Sequence, residues 1–201
     1  MHISGLKDVI FTVFSRIYLI LVPMSIPKSE IYISVDVETS GPIPWEYSLM
    51  SIGACQVSDT GQNFYSELKP INNNFIPKTL EVNGLSIEKL KVSGEAPAAA
   101  MARFETWIKT TAGGYRPVFT AFNATFDWMF VHWYFMKFLG RDPFGISGLD
   151  IKAYFMGKHH SLWGETIKKK IRSVYPADTP HTHNALEDAI EQAEILRRML
   201  K

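Results

Sequence analysis

The stretch "ISVDVETSGP", residues 33–42, places two carboxylates, Asp36 and Glu38, one residue apart in an apolar run. Residues two apart in a strand point to one face, so both acids project together at the strand's end. Like charges this close raise each other's pKa unless a cation sits between them. Taken alone, the pair is also what a solvated strand end looks like. A second group is "FNATFDWMF", where Asn123 and Asp127 are one helical turn apart. Asp127 opens an otherwise aromatic helix, and an acid in a first turn can simply complement the helix dipole. The third group is "HTHNALEDA". His183 stands at the entrance of the last helix, with Asp188 five residues on. His181 is a rival that ranks below His183, and Glu187, Asp188 and Glu191 taken alone read as a solvated acidic face.

Together the groups point to a metal site. Four acids fall on a strand end, a helix start and a carboxy-terminal helix. Magnesium and manganese prefer oxygen ligands, mostly carboxylate and water. A two-metal site needs several carboxylates converging on ions about 3.5–4 Å apart. A neighbouring histidine can take a proton from the attacking water.

Several elements must position these groups. Residues 31–37 and 49–57 read as strands rich in apolar and β-branched residues. "SDTGQ" then turns the chain into a third strand, 63–68, giving an antiparallel opening. "PINNNFIPK" reads as a polar connection. Helices are expected over 95–110, 126–139, 162–174 and 184–200, with short strands at 118–122 and 148–151. The order β-β-β-α-β-α-β-α-α implies a mixed α/β domain with helices flanking one sheet.

The 201 residues suffice for one domain, and 46% hydrophobic residues rule out a disordered chain. A net charge of +1 excludes a protein basic all over, though not a local basic groove. Cys55 is the single cysteine, so no internal disulfide can form, which fits a reducing, cytoplasmic compartment. It reads as a small buried hydrophobe. Residues 1–30 stand apart from the domain at 31–201. "VIFTVFSRIYLILVPM" is apolar, but it is interrupted by Ser15 and Arg16 and short for a bilayer span. It lacks a clear signal-peptide cleavage site. It is read as an upstream extension, with Met24 as the natural start. A weak signal or anchor and an integral helix are the alternatives, and no membrane association is expected.

The three groups, in this order, resemble the DEDDh family of 3′–5′ exonucleases, which includes proofreading exonucleases, ribonuclease T and oligoribonuclease. "DVETSG" is similar to the family's first motif, "NATFD" to its second and "HNALED" to its third. "IPKTLEVNGLS" and "GLDIKAYF" are weaker echoes, with Asn83 where the family often has histidine. The resemblance spans residues 31–200. It implies a ribonuclease-H-like fold with a five-stranded mixed sheet, its first three strands antiparallel. It also implies release of nucleoside 5′-monophosphates from a 3′ end by two divalent ions, Mg2+ or Mn2+. Asp36, Glu38, Asp127 and Asp188 would hold the ions, and His183 would act as general base. Thr39 and Asn123 would contact substrate, Asn123 alternatively orienting Asp127, and Asp150 would be structural.

Trp45 and Tyr47 could stack bases of a single strand, or could pack a proline-rich loop. "KKKIR", residues 168–172, reads as a solvated helix face with phosphate contact as the alternative. The expected partners are single-stranded DNA or RNA 3′ ends. The family also admits a homodimer or association with a polymerase. A catalytically silent nucleic-acid-binding module is the competing reading, and such a module would lack one of the five catalytic residues that this chain keeps.

Overall fold

The computed structural model describes residues 29–201, and the expectation for the amino-terminal extension up to residue 28 lies outside them. Strands β1 (Glu30–Thr39), β2 (Leu49–Gln56), β3 (Asn63–Glu67), β4 (Arg116–Ala121) and β5 (Gly148–Asp150) form one sheet in the order β3-β2-β1-β4-β5. β1, β2 and β3 pair antiparallel, while β1–β4 and β4–β5 pair parallel. This is the expected mixed sheet.

The helices are α1 (Pro77–Asn83), α2 (Ile87–Ser93), α3 (Pro97–Ala112), α4 (Ala124–Leu139), α5 (Ile151–His159), α6 (Lys168–Val174) and α7 (Ala185–Met199). α1, α2 and α5 are absent from the sequence expectation. α1 buries nothing and starts at Pro77, a residue that reads as loop yet suits a helix's first position. α2 is capped by the Ser86 side chain and buries only Ile87 and Leu90, too few for a clear period. α5 follows β5 without a break, because Asp150 ends the strand and caps the helix by accepting from Ala153 N. The helix expected over 162–174 divides into a 3-10 turn, Trp163–Glu165, and α6.

Alternation along β1 sorts the two layers. Ile33, Val35 and Val37 face α3 and α4 within the larger core, with Phe104, Phe119, Phe130 and Phe135. The other face packs α5, α6 and α7 through Cys55, Phe155, Ile171, Ile195 and Leu196. Cys55 is fully buried as expected, and burial pushes its thiol up to about 12. Among the described residues no helix is long and apolar enough to cross a membrane.

Candidate active site

Parallel pairing of β1 with β4 ends at Ser34–Thr120. Beyond that point the strands no longer bond, and β1 runs on alone beside β2. The gap leaves polar backbone of β1 without a strand partner, and Asp127 from the first turn of α4 supplies one: its Oδ1 accepts from Val37 N at 3.1 Å. Ligand sites commonly lie where the strand order reverses at the carboxyl ends of parallel strands.

Asp36 and Glu38 project from β1 on the α7 side. Asp188, in the first turn of α7, meets them: one carboxylate oxygen from each of the three lies within 4.8 Å of the others. The meeting depends on Gly53, which pairs with Asp36 across β1–β2. A Cβ there would fall 2.1 Å from the carbonyl carbon of Ala185 and 2.2 Å from Leu186 N. Only glycine lets the amino-terminal end of α7 come this close to the sheet. Glycine inside a strand is a legible signal of such backbone approach.

Asp188 is 1% exposed and held by its own entry loop. Thr182 N donates to Oδ1 at 2.9 Å, and His183 N donates to Oδ2 at 3.1 Å. These bonds wrap residues 182–183 around the carboxylate and place His183 beside the cluster, with a left-handed φ of 59°. The Asn184 side chain caps α7 by accepting from Leu186 N and Glu187 N. The neighbouring His181 Nδ1 lies 2.9 Å from Asp188 Oδ1.

Crowding marks the cluster electrostatically. Burial, then the charges of Asp127, Glu38 and Asp188, push the Asp36 carboxyl far above its ordinary value, opposed by Lys168. Burial raises Asp127 to about 8 against the Val37 hydrogen bond, and burial and Asp188 raise Glu38 to about 7. A cluster of acids this hard to ionise stores a demand for cations. All-oxygen donors suit magnesium or manganese.

The other expected residues divide. Asp150 is structural: its Oδ2 accepts from Ala124 N at 2.6 Å, so it caps α4 as well as α5. The Asn123 side chain makes no hydrogen bond to Asp127. The residue lies outside the helix in the left-handed region, φ 71°, exposed and capping nothing with its side chain. The Thr39 hydroxyl is buried and donates to Gly41 O at 2.9 Å. Tyr47 packs its ring over Gly41, where even a Cβ would overlap it. Trp45 is 62% exposed on a left-handed residue, φ 65°, and its carbonyl accepts from the Asn72 amide.

Gln192 escaped the sequence reading, and Asn83, Glu191, Lys168 and Arg172 have contacts that it did not assign. Gln192 Nε2 donates to Asp36 Oδ1 at 2.5 Å, while its Oε1 accepts from Phe122 N at 2.6 Å. Its position one turn after Asp188 was the available signal. Asn83 Nδ2 donates to Thr39 O at 3.1 Å, and its amide opposes the rise of the Glu38 carboxyl. Glu191 is fully buried and is not part of a solvated acidic face. It binds Lys168 at 3.1 Å and Arg172. Those two turn inward from "KKKIR", whose run is therefore only partly a solvated face.

A ribonuclease-H-like sheet with carboxylates gathered at the end of its central strand defines a nuclease of the phosphodiester-cleaving kind. None of the protein-family models matches the chain. It is 48% identical over 169 residues to the 3′–5′ DNA exonuclease Cap18 of Escherichia coli, covering 84% of this chain and 90% of that one. The chain belongs to the DEDDh family of 3′–5′ exonucleases and is a 3′–5′ exonuclease. The fold matches the nuclease domain of 3′hExo, a DEDDh family member bound to rAMP. Its TM-score is 0.69 at 15% identity, over 88% of this chain and 93% of that one. It also matches E. coli Exonuclease I in complex with a dT13 oligonucleotide. There the TM-score is 0.67 at 16% identity, over 84% of this chain and 40% of that one.

Proposed function

We propose that the chain removes nucleotides from the 3′ end of single-stranded DNA, using two Mg2+ or Mn2+ ions held by Asp36, Glu38, Asp127 and Asp188. The convergence of Asp36, Glu38 and Asp188 oxygens within 4.8 Å carries this reading. DNA is favoured over RNA by the name of the Cap18 relative, and a single strand by the oligonucleotide in the Exonuclease I complex. When bound, the ions would neutralise the scissile phosphate and stabilise the leaving 3′ oxygen.

The chain's own residues do the rest. Gln192 and Val37 N–H hold Asp36 and Asp127 in place. His183 accepts a proton from the attacking water on a ring nitrogen as the water oxygen bonds to phosphorus. The bond from phosphorus to the 3′ oxygen breaks, that oxygen is protonated from solvent, and a nucleoside 5′-monophosphate leaves. Asn123, exposed at the β4–α4 junction, and the backbone of Thr39 are proposed to contact the terminal nucleotide. Trp45 and Tyr47 are proposed to stack bases upstream.

The test is incubation of 5′-labelled single-stranded DNA and RNA oligomers with magnesium, manganese or EDTA. DNA shortening from its 3′ end with 5′-monophosphate release is expected, and EDTA should stop it. Cleavage of RNA alone would reverse the substrate assignment, and shortening in EDTA would remove the metal assignment.

A further inference from the structure

Asp188 stands at the vertex of two ligand clusters. One is the all-oxygen set with Asp36 and Glu38; the other joins it to His181 and His183, with one ligand atom from each of the three within 4.8 Å of the others. The imidazole rings lie 4.5 Å apart at 65°, edge to face. His181 Nδ1 is already 2.9 Å from Asp188 Oδ1. Bonds of 2.0–2.1 Å in a tetrahedral site place ligand atoms about 3.3 Å apart. Modest side-chain rotation would close the set to that spacing. Two imidazoles and one carboxylate are a poor set for magnesium and a good one for zinc and its neighbours.

The site has three further relevant features. Asp188 is fixed by the Thr182 and His183 backbone N–H groups, so one ligand is preorganised. Glu191 Oε2 lies 3.3 Å from His181 Nδ1 and could fill a fourth position. Lys168 Nζ, 3.2 Å from that nitrogen, is the local competitor for it, and Glu191 offers its ammonium an ion-pair partner at 3.1 Å.

We infer that His181, His183 and Asp188 form a site for a zinc-like cation, distinct from the carboxylate site but sharing one ligand with it. Occupation engages the ring nitrogen of His183 and an oxygen of Asp188, so the cation inhibits. The inhibition rests on the roles proposed for His183 and Asp188, whereas the binding does not.

Binding is therefore measured directly, by zinc competition against a chromophoric chelator and by cobalt absorption, on the full chain and on His181→Ala. With excess magnesium present to occupy the carboxylates, the wild-type chain is expected to bind one ion with the visible bands of a four-coordinate nitrogen-containing site. His181→Ala is expected to weaken binding at least ten-fold, and Lys168→Met to strengthen it. In excess magnesium, the zinc needed for half inhibition should rise about ten-fold in His181→Ala, each variant being normalised to its own zinc-free rate. Circular dichroism checks that the variants fold. Equal zinc affinity in wild type and His181→Ala would overturn the inference, placing zinc on the carboxylates alone. Absence of wild-type binding, or no gain in Lys168→Met, would overturn it too. A chain that binds zinc through His181 yet cleaves nothing in magnesium would leave this site standing and remove the proposed function instead.

Discussion

Asp36 is the acid most exposed to its neighbours' charge, and Gln192 is what keeps it oriented. One amide satisfies the Asp36 carboxylate and the Phe122 N–H together. Gln192→Ala should orphan a backbone donor, costing about 1–3 kcal/mol in denaturant unfolding. It should also weaken metal affinity or turnover about 10- to 100-fold, as loss of a ligand's hydrogen-bond partner generally does. Calorimetric metal titration separates the two effects. His183 makes a different prediction. His183→Ala should lower kcat about 100- to 10,000-fold while magnesium affinity at the carboxylates is kept. An unchanged rate would dismiss it as the base.

At the scale of elements, the site is an encounter between α7 and the β1–β2 pair. Ala185, Ala189 and Ala193 are buried against the sheet, and the Cys55 thiol reaches the Ala189 carbonyl at 3.5 Å. Small residues on both sides let the helix lie close. Gly53→Ala should push α7 outward, because the overlapping atoms are backbone and no rotamer relieves them. A stability loss of about 1–3 kcal/mol is expected in urea unfolding, with a disproportionate loss of activity as Asp188 withdraws from Asp36. Asn184→Ala removes the α7 cap and should cost about 1 kcal/mol.

For the whole molecule, the carboxylate cluster links stability to pH and metal. Glu38 rises from an ordinary 4.5 to about 7, and Asp127 from 3.8 to about 8. A raised folded-state pKa contributes stability that is full below the unfolded value and lost as pH climbs through the folded one. Metal-free protein should therefore lose thermal stability between about pH 4 and pH 8. Glu105 opposes this at the acid end. Hydrogen bonds from Arg141 and Lys109 hold it down at about 2, so its contribution exists above 4.5 and fades as pH falls towards 2. Both partners are largely exposed, so that limb is shallow. Magnesium should raise Tm more at about pH 8 than at about pH 5, because binding needs the ionised carboxylates. Thermal scans with EDTA and with magnesium check both slopes, and a flat metal-free profile would contradict the raised values.

Local patterns revealed much of this protein before any fold was known. The period of two put Asp36 and Glu38 on one face, short apolar runs between turn signals marked the strands, and helical spacing marked the larger helices. The order of the three motifs pointed to the family. The short helices α1 and α2 stayed hidden because they bury too little to leave a period, and α5 because it follows its strand without a loop. Asn123 looked helical by spacing, yet the β4–α4 junction turned it left-handed. Glu191, Lys168 and Arg172 looked solvated on their own segments, but α6 and α7 pack together and enclose their charges. Residue type and spacing therefore determined which groups could do chemistry. Tertiary structure alone decided which of them meet, because the closing of β1–β4 pairing at Ser34 against Thr120 and the approach of α7 over Gly53 depend on segments far apart in the chain.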